Sequence, residues 1–166
     1  MKNFDIAFAE IIGIEGGLSD NKNDRGGLTK FGISQKAFPL LDIRNLTLDQ
    51  AKKIYFDNYW KTPNLNLEKF ELKNAIELFD IAVNSGVGTS ARILQRALNL
   101  MNRDQKNFKN LEADGNAGDV TMKAYAKVNP DILFKVLNGL QFLRFVNIVE
   151  HDESQEEFFN GWMTRV

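Results

Sequence analysis

Residues 4–33, FDIAFAEIIGIEGGLSDNKNDRGGLTKFGI, decide how the chain is read. Phe4, Phe8, Ile11 and Glu15 follow one another at intervals of four, three and four, which puts all four on one face of a helix. A helix over 4–15 is predicted, with Glu15 prolonging an apolar stripe. Burial disfavours the charged form of a carboxyl and raises its pKa. A general acid needs that shift to keep its proton near neutral pH. The competing reading leaves Glu15 at a frayed helix end, near the negative pole of the helix. Gly16 and Gly17 then allow a sharp turn and leave room for a ligand. Residues 13–32 hold six of the twelve glycines, so a loop or small hairpin is expected over 16–33, with a short strand at Leu28–Ile33.

Asp24 lies nine residues after Glu15 in a polar loop and is expected to stay ionised. A protonated Glu facing an ionised Asp is the pattern of two-carboxylate glycoside hydrolysis. Thr29 offers a hydroxyl to hold a water. Asn23-Asp24-Arg25-Gly26 is equally good turn chemistry in any protein. Calcium-loop registers through Asp20–Asp24 and Asp114–Asn116 lack the closing bidentate Glu, so no metal site is expected.

Outward from this stretch the chain reads as helix. Thr47-Leu48-Asp49-Gln50 resembles a capping box opening a helix through about Trp60. Ile76, Phe79 and Val83 are in phase over 73–86, and Gly86 and Gly88 stop that helix. Another starts at Thr89 or Ser90, and a shorter one spans about 119–128. Asn129-Pro130 opens an apolar helix with Leu133, Leu137, Leu140 and Phe145. Residues 102–118 are polar and read as a connector. Tyr55, Tyr59 and Trp60 gather at one helix end, where aromatics either stack on sugars or pack in the core. Asn84 can donate to a sugar or cap its helix. Asp80 reads as a buried structural acceptor, and Arg144 as the partner of an acidic core group.

Composition removes several functions. The 166 residues carry 21 Lys and Arg against 22 Asp and Glu, without the basic excess that phosphate neutralisation needs, so no nucleic acid is expected. There is no Cys, which excludes thiolate catalysis and disulfides. The one histidine, His151, sits in an acidic run and reads as a solvated turn. Hydrolysis by this chain must run on carboxylates. No signal peptide and no run of about 18 apolar residues is found, so membrane insertion is not expected and export would need another route.

Glu15-Gly16-Gly17, Asp24 and Gly26-Gly27-Leu28-Thr29-Lys30-Phe31-Gly32-Ile33 resemble the signature of glycoside hydrolase family 108. These are peptidoglycan muramidases found as phage endolysins and secretion activator proteins. The likeness continues through Tyr59-Trp60, Phe79–Gly86, Leu94-Gln95-Arg96-Ala97-Leu98, Asp114-Gly115 with Thr121, and Gly161-Trp162 with Arg165. Leu18 stands where the family usually has an aromatic, and Gly118-Asp119-Val120 replaces a usual Gly-Pro before the Thr.

The resemblance implies a mainly α, lysozyme-like fold, with a small β-hairpin packed on helices and a helical C-terminal lobe. Residues 1–88 would form the catalytic region. Residues 89–166 would form a predicted peptidoglycan-binding lobe packed with it as one unit. It implies hydrolysis of the β-1,4 bond between N-acetylmuramic acid and N-acetylglucosamine. Glu15 would be the acid, with Asp24 and Thr29 catalytic beside it, and Tyr59, Trp60 and Asn84 would bind substrate. No cofactor is implied. The partner is the peptidoglycan glycan strand, and the protein is expected to be a monomer. It would reach the wall from the cytoplasm by a holin or a secretion system. A wider, water-holding, inverting geometry is expected of the carboxylates. A lytic transglycosylase and a non-catalytic wall-binding or secretion accessory protein are the alternatives.

Overall fold

The computed structural model describes residues 2–12, 17–18 and 27–166. Helix α1 (Lys2–Ile12) buries Phe4, Ala7 and Phe8, the stripe expected from its spacing. Phe4 meets Phe56, Trp60 and Phe79, and Phe8 meets Tyr55, at ring separations of 5.2–6.1 Å. Tilted and edge-on rings at these distances gain more than their buried area alone supplies.

A hairpin follows, β1 (Thr29–Lys30) paired antiparallel with β2 (Ile33–Ser34). The stretch expected as one strand instead turns in its middle. Phe31 and Gly32 both have positive φ, 52° and 75°, as a two-residue hairpin turn of primed type requires. The Tyr55 hydroxyl donates to the Phe31 carbonyl at 3.1 Å. A Cβ on Gly32 would lie 2.6 Å from that hydroxyl oxygen, so only glycine fits.

Helix α2 (Leu48–Tyr55) opens on the expected capping box, with Thr47 and Gln50 satisfying each other's backbone N–H groups. Residues 56–60 continue it as one wider π turn, and a second hairpin, β3 (Lys61–Thr62) with β4 (Leu65–Asn66), follows. Helix α3 (Leu72–Ser85) ends at Gly86, whose φ of 89° most residues avoid. Helix α4 (Val87–Leu100) starts at once, two or three residues earlier than expected. Helix α5 (Asp119–Tyr125) is short. Helix α6 (Pro130–His151) is capped by Asn129, whose side chain accepts from the N–H groups of Asp131 and Ile132. Helix α7 (Glu156–Trp162) packs back on α6, stacking Trp162 on Phe145 at 5.2 Å.

One apolar cluster runs from Phe4 through α3 and α4 to Leu137 and Leu140 of α6, so both halves share a core. By length and composition α6 is apolar enough to cross a bilayer, although Lys135, Asn138, Gln141 and Arg144 interrupt its apolar run. Here its Leu133, Leu137, Leu140 and Phe145 are buried.

The 102–118 connector is held by three amides at helical spacing, Gln95 and Asn99 on α4 and Asn102 just past its end. Asn102 bonds both N–H and C=O of Phe108 at 3.0 and 2.6 Å. Asn99 does the same for Leu111, at 2.8 Å each. Gln95 accepts from the Gly115 N–H and donates to the Asn116 carbonyl and the Asp114 carboxylate. This anchoring holds Arg103, Asp104 and Gln105 at φ of 52–60°, a left-handed turn that costs each residue roughly 1 kcal/mol or more.

Candidate active site

Glu15 and Asp24 lie outside the described residues, as does half of the 16–33 segment. Thr29 is half-buried, and its hydroxyl donates to the Gly27 carbonyl at 3.1 Å, which leaves the oxygen's lone pairs to accept.

The aromatic pair divides. Tyr59 is half-buried against Tyr55, with rings 5.5 Å apart, and burial pushes its phenol pKa up. Trp60 is 1% exposed, walled in by Phe4 and Phe79. The expectation that Trp60 binds sugar is corrected on this point, because its ring is spent on the core and has no free face. Asn84 is exposed, but its amide nitrogen donates to the carbonyl and the carboxylate of Asp80 at 2.8 and 3.0 Å. As placed, it orients Asp80 and does not donate to a sugar.

A cavity of roughly 430 Å³ lies against the last turn of α1, lined by Glu10, Ile11, Glu77, Asp80, Asn138 and Arg165 among others. Ile11 stands four residues before Glu15 in the sequence. Asp80, 3% exposed, accepts from Gln141 Nε2 at 2.6 Å and Arg165 Nη1 at 2.5 Å as well as from Asn84. It is the buried acceptor expected. Its arginine is Arg165; Arg144 instead donates to the Ser85 hydroxyl at 3.1 Å, which corrects the acidic partner expected for it.

Glu77 is the group that sequence reasoning missed. Burial, reinforced by the charge of Asp80, pushes its pKa from 4.5 to about 8, against a lowering hydrogen bond from Asn138. Its Oε1 finds no hydrogen-bond partner. At neutral pH it therefore keeps its proton and can donate it. The cavity joins the Glu77 carboxyl, Asp80 and the Arg165 guanidinium, a set suited to hydroxyl and acetamido groups. One signal was available: Asn138 interrupts the apolar run of α6, and a half-buried amide there needs a polar partner, which Glu77 supplies.

Residues 8–86 match the family model described as glycosyl hydrolase 108. That stretch belongs to glycosyl hydrolase family 108. It contains Glu15, Asp24, Thr29 and the Glu77–Asp80 pair. Residues 89–166 match the model described as predicted peptidoglycan domain. The protein thus joins a family 108 region to a peptidoglycan domain along almost its whole length. The solved structure of SagA from Brucella abortus shares the fold, with a TM-score of 0.78 at 23% identity over 99% of this chain and 89% of that one. Among curated proteins none matches significantly. The mainly α, lysozyme-like architecture with a small hairpin on helices is the one the family resemblance implied.

Proposed function

We propose that the protein is an N-acetylmuramidase that hydrolyses the β-1,4 bond between N-acetylmuramic acid and N-acetylglucosamine in peptidoglycan. The observation that carries this reading is the family 108 match across the segment holding both loop carboxylates, next to a peptidoglycan domain. Glu15 gives its proton to the leaving glycosidic oxygen. Charge develops on the sugar ring, and Asp24 accepts a proton from the attacking water as the new C–O bond forms. Thr29, whose proton is engaged by Gly27, accepts a hydrogen bond from that water. The chemistry needs no cofactor. The cavity between α1, α3 and the chain end supports the reading, since its polar groups suit a bound sugar. A monomer working on the wall after release through a holin or a secretion system fits this activity.

Glu15→Gln is expected to abolish the release of soluble fragments from purified sacculi while the fold is kept. Clearance within about tenfold of wild type would remove Glu15 from the chemistry. Mass spectrometry of the fragments separates the classes. Reducing ends support hydrolysis, anhydro ends mean a lytic transglycosylase, and sacculi bound without release mean a wall-binding protein. The α-anomer as first product, seen by NMR, fits inversion from the β-linkage, and the β-anomer refutes it.

A further inference from the structure

Helices α4 and α6 face each other across a groove of roughly 770 Å³, far from the family 108 loop in sequence. Arg92, Ile93 and Arg96 from α4 and Leu140, Leu143 and Arg144 from α6 recur at helical spacing, so each helix presents one face to it. No Asp or Glu is among the described lining residues, in a chain whose acids outnumber its bases. Arg92 is seated by two glycines, because a Cβ on Gly88 or Gly115 would come within 3.3 or 3.2 Å of its guanidinium. Arg144 is tied to Ser85. Arg96 is exposed and makes no ion pair among the described residues.

We infer that this groove binds the stem peptide of peptidoglycan, its carboxylates on the arginines and its alanine methyls on Ile93, Leu140 and Leu143. The inference rests on the wall substrate proposed above. Arg92 already feels the charge of Asp114, but Arg96 and Arg144 have no acid beside them in the lining, which calls for a ligand with carboxylates, the groups that arginine grips in two-pronged fashion. The apolar floor between them calls for short aliphatic groups on the same ligand. A bare glycan strand offers only one lactyl carboxylate per disaccharide, whereas the stem peptide sets several carboxylates beside alanine methyls, and a flat anionic membrane would not fill a concave groove. The groove also lies wholly within the residues that match the peptidoglycan domain. Peptide recognition is thereby separated from bond cleavage.

The test is calorimetric titration of the full chain with a disaccharide-tetrapeptide, against N-acetylchitotetraose, which shares the sugar and lacks the peptide. Wild type is expected to bind the peptide-bearing ligand more tightly. Arg96→Ala should weaken that binding about tenfold, the loss expected for one charge-assisted contact, and leave chitotetraose unchanged. Arg96→Lys should restore part of it, with thermal melts showing all variants folded. Equal affinity for the two ligands, or an Arg96→Glu variant that still binds the peptide like wild type, overturns the inference. So does Arg96-dependent binding to phosphatidylglycerol vesicles without any peptide preference, which would assign the groove to a membrane. Peptide binding without fragment release from sacculi supports the groove while defeating the muramidase reading. Fragment release with peptide-independent binding does the reverse.

Discussion

The Asp80 cluster and the amide ladder that holds the connector are both buried polar systems, and they solve the same problem in opposite ways. Asp80 is charged, and it gathers donors from Gln141 and Arg165, 61 and 85 residues away. The ladder of Gln95, Asn99 and Asn102 is uncharged, and its bonds reach mostly to backbone 6–21 residues on. The charged cluster clamps the family 108 region to α6 and the chain end and leaves Glu77 with an unpaired oxygen beside a cavity. The ladder satisfies the connector's backbone at Phe108, Leu111, Gly115 and Asn116 and leaves none of its own amide oxygens without a partner. Buried charge with loose ends suits a place where a polar ligand binds, whereas a saturated neutral network suits scaffolding.

The largest effect expected is from Asp80→Ala, which strands the buried Gln141 amide and Arg165 at once. Chemical denaturation should show a loss of about 3–5 kcal/mol, and a loss below about 1 kcal/mol would show that the cluster is no clamp. Glu77 comes next and gives the charged system a pH signature. Its pKa is raised, so the folded form holds a proton that the unfolded chain has released. Stability should therefore fall as pH rises from 4.5 to about 8 and level off above that. Glu77→Gln should flatten this slope and be more stable than wild type near pH 8. Parallel slopes for the two proteins would mean that Glu77 titrates normally.

Asn102→Ala should cost about 2 kcal/mol, since the Phe108 N–H and C=O both lose their partner. That loss should be the same at pH 5 and pH 8, because nothing in the Asn102 contacts titrates. A pH-dependent loss would erase the distinction between the two systems. Thr47→Ala, at an exposed cap, sets the baseline at about 1 kcal/mol by thermal melting. It should fall below both buried systems.

Much of the helical frame was legible because its signals are local. Thr47 with Gln50, Asn129 before Pro130, and Gly86 after Ser85 each act within a few residues of the chain. The hairpin at 29–34 was only half legible. Gly32 marks a turn, but a positive φ at Phe31 is sustained by the Tyr55 hydroxyl, which no neighbouring residue announces. The second hairpin, 61–66, has no alternating run long enough to signal strands. Arg144 was the arginine expected to pair with a buried acid, and only the path of the C-terminal turns brought Arg165 to Asp80 instead.

By itself the sequence determined the mainly helical class, the stripe of α1 that aims the chain toward Glu15, the absence of thiol chemistry and the residues shared with family 108. Those features rest on periodicity, residue chemistry and motif order, all of which act along the chain. Tertiary structure alone decided that Trp60 is core, that Glu77 keeps its proton, that Asn84 serves Asp80, and that α4 and α6 leave an arginine-edged groove between them. Periodicity states which residues share a face, but burial depends on what packs over that face, and burial sets both pKa and access.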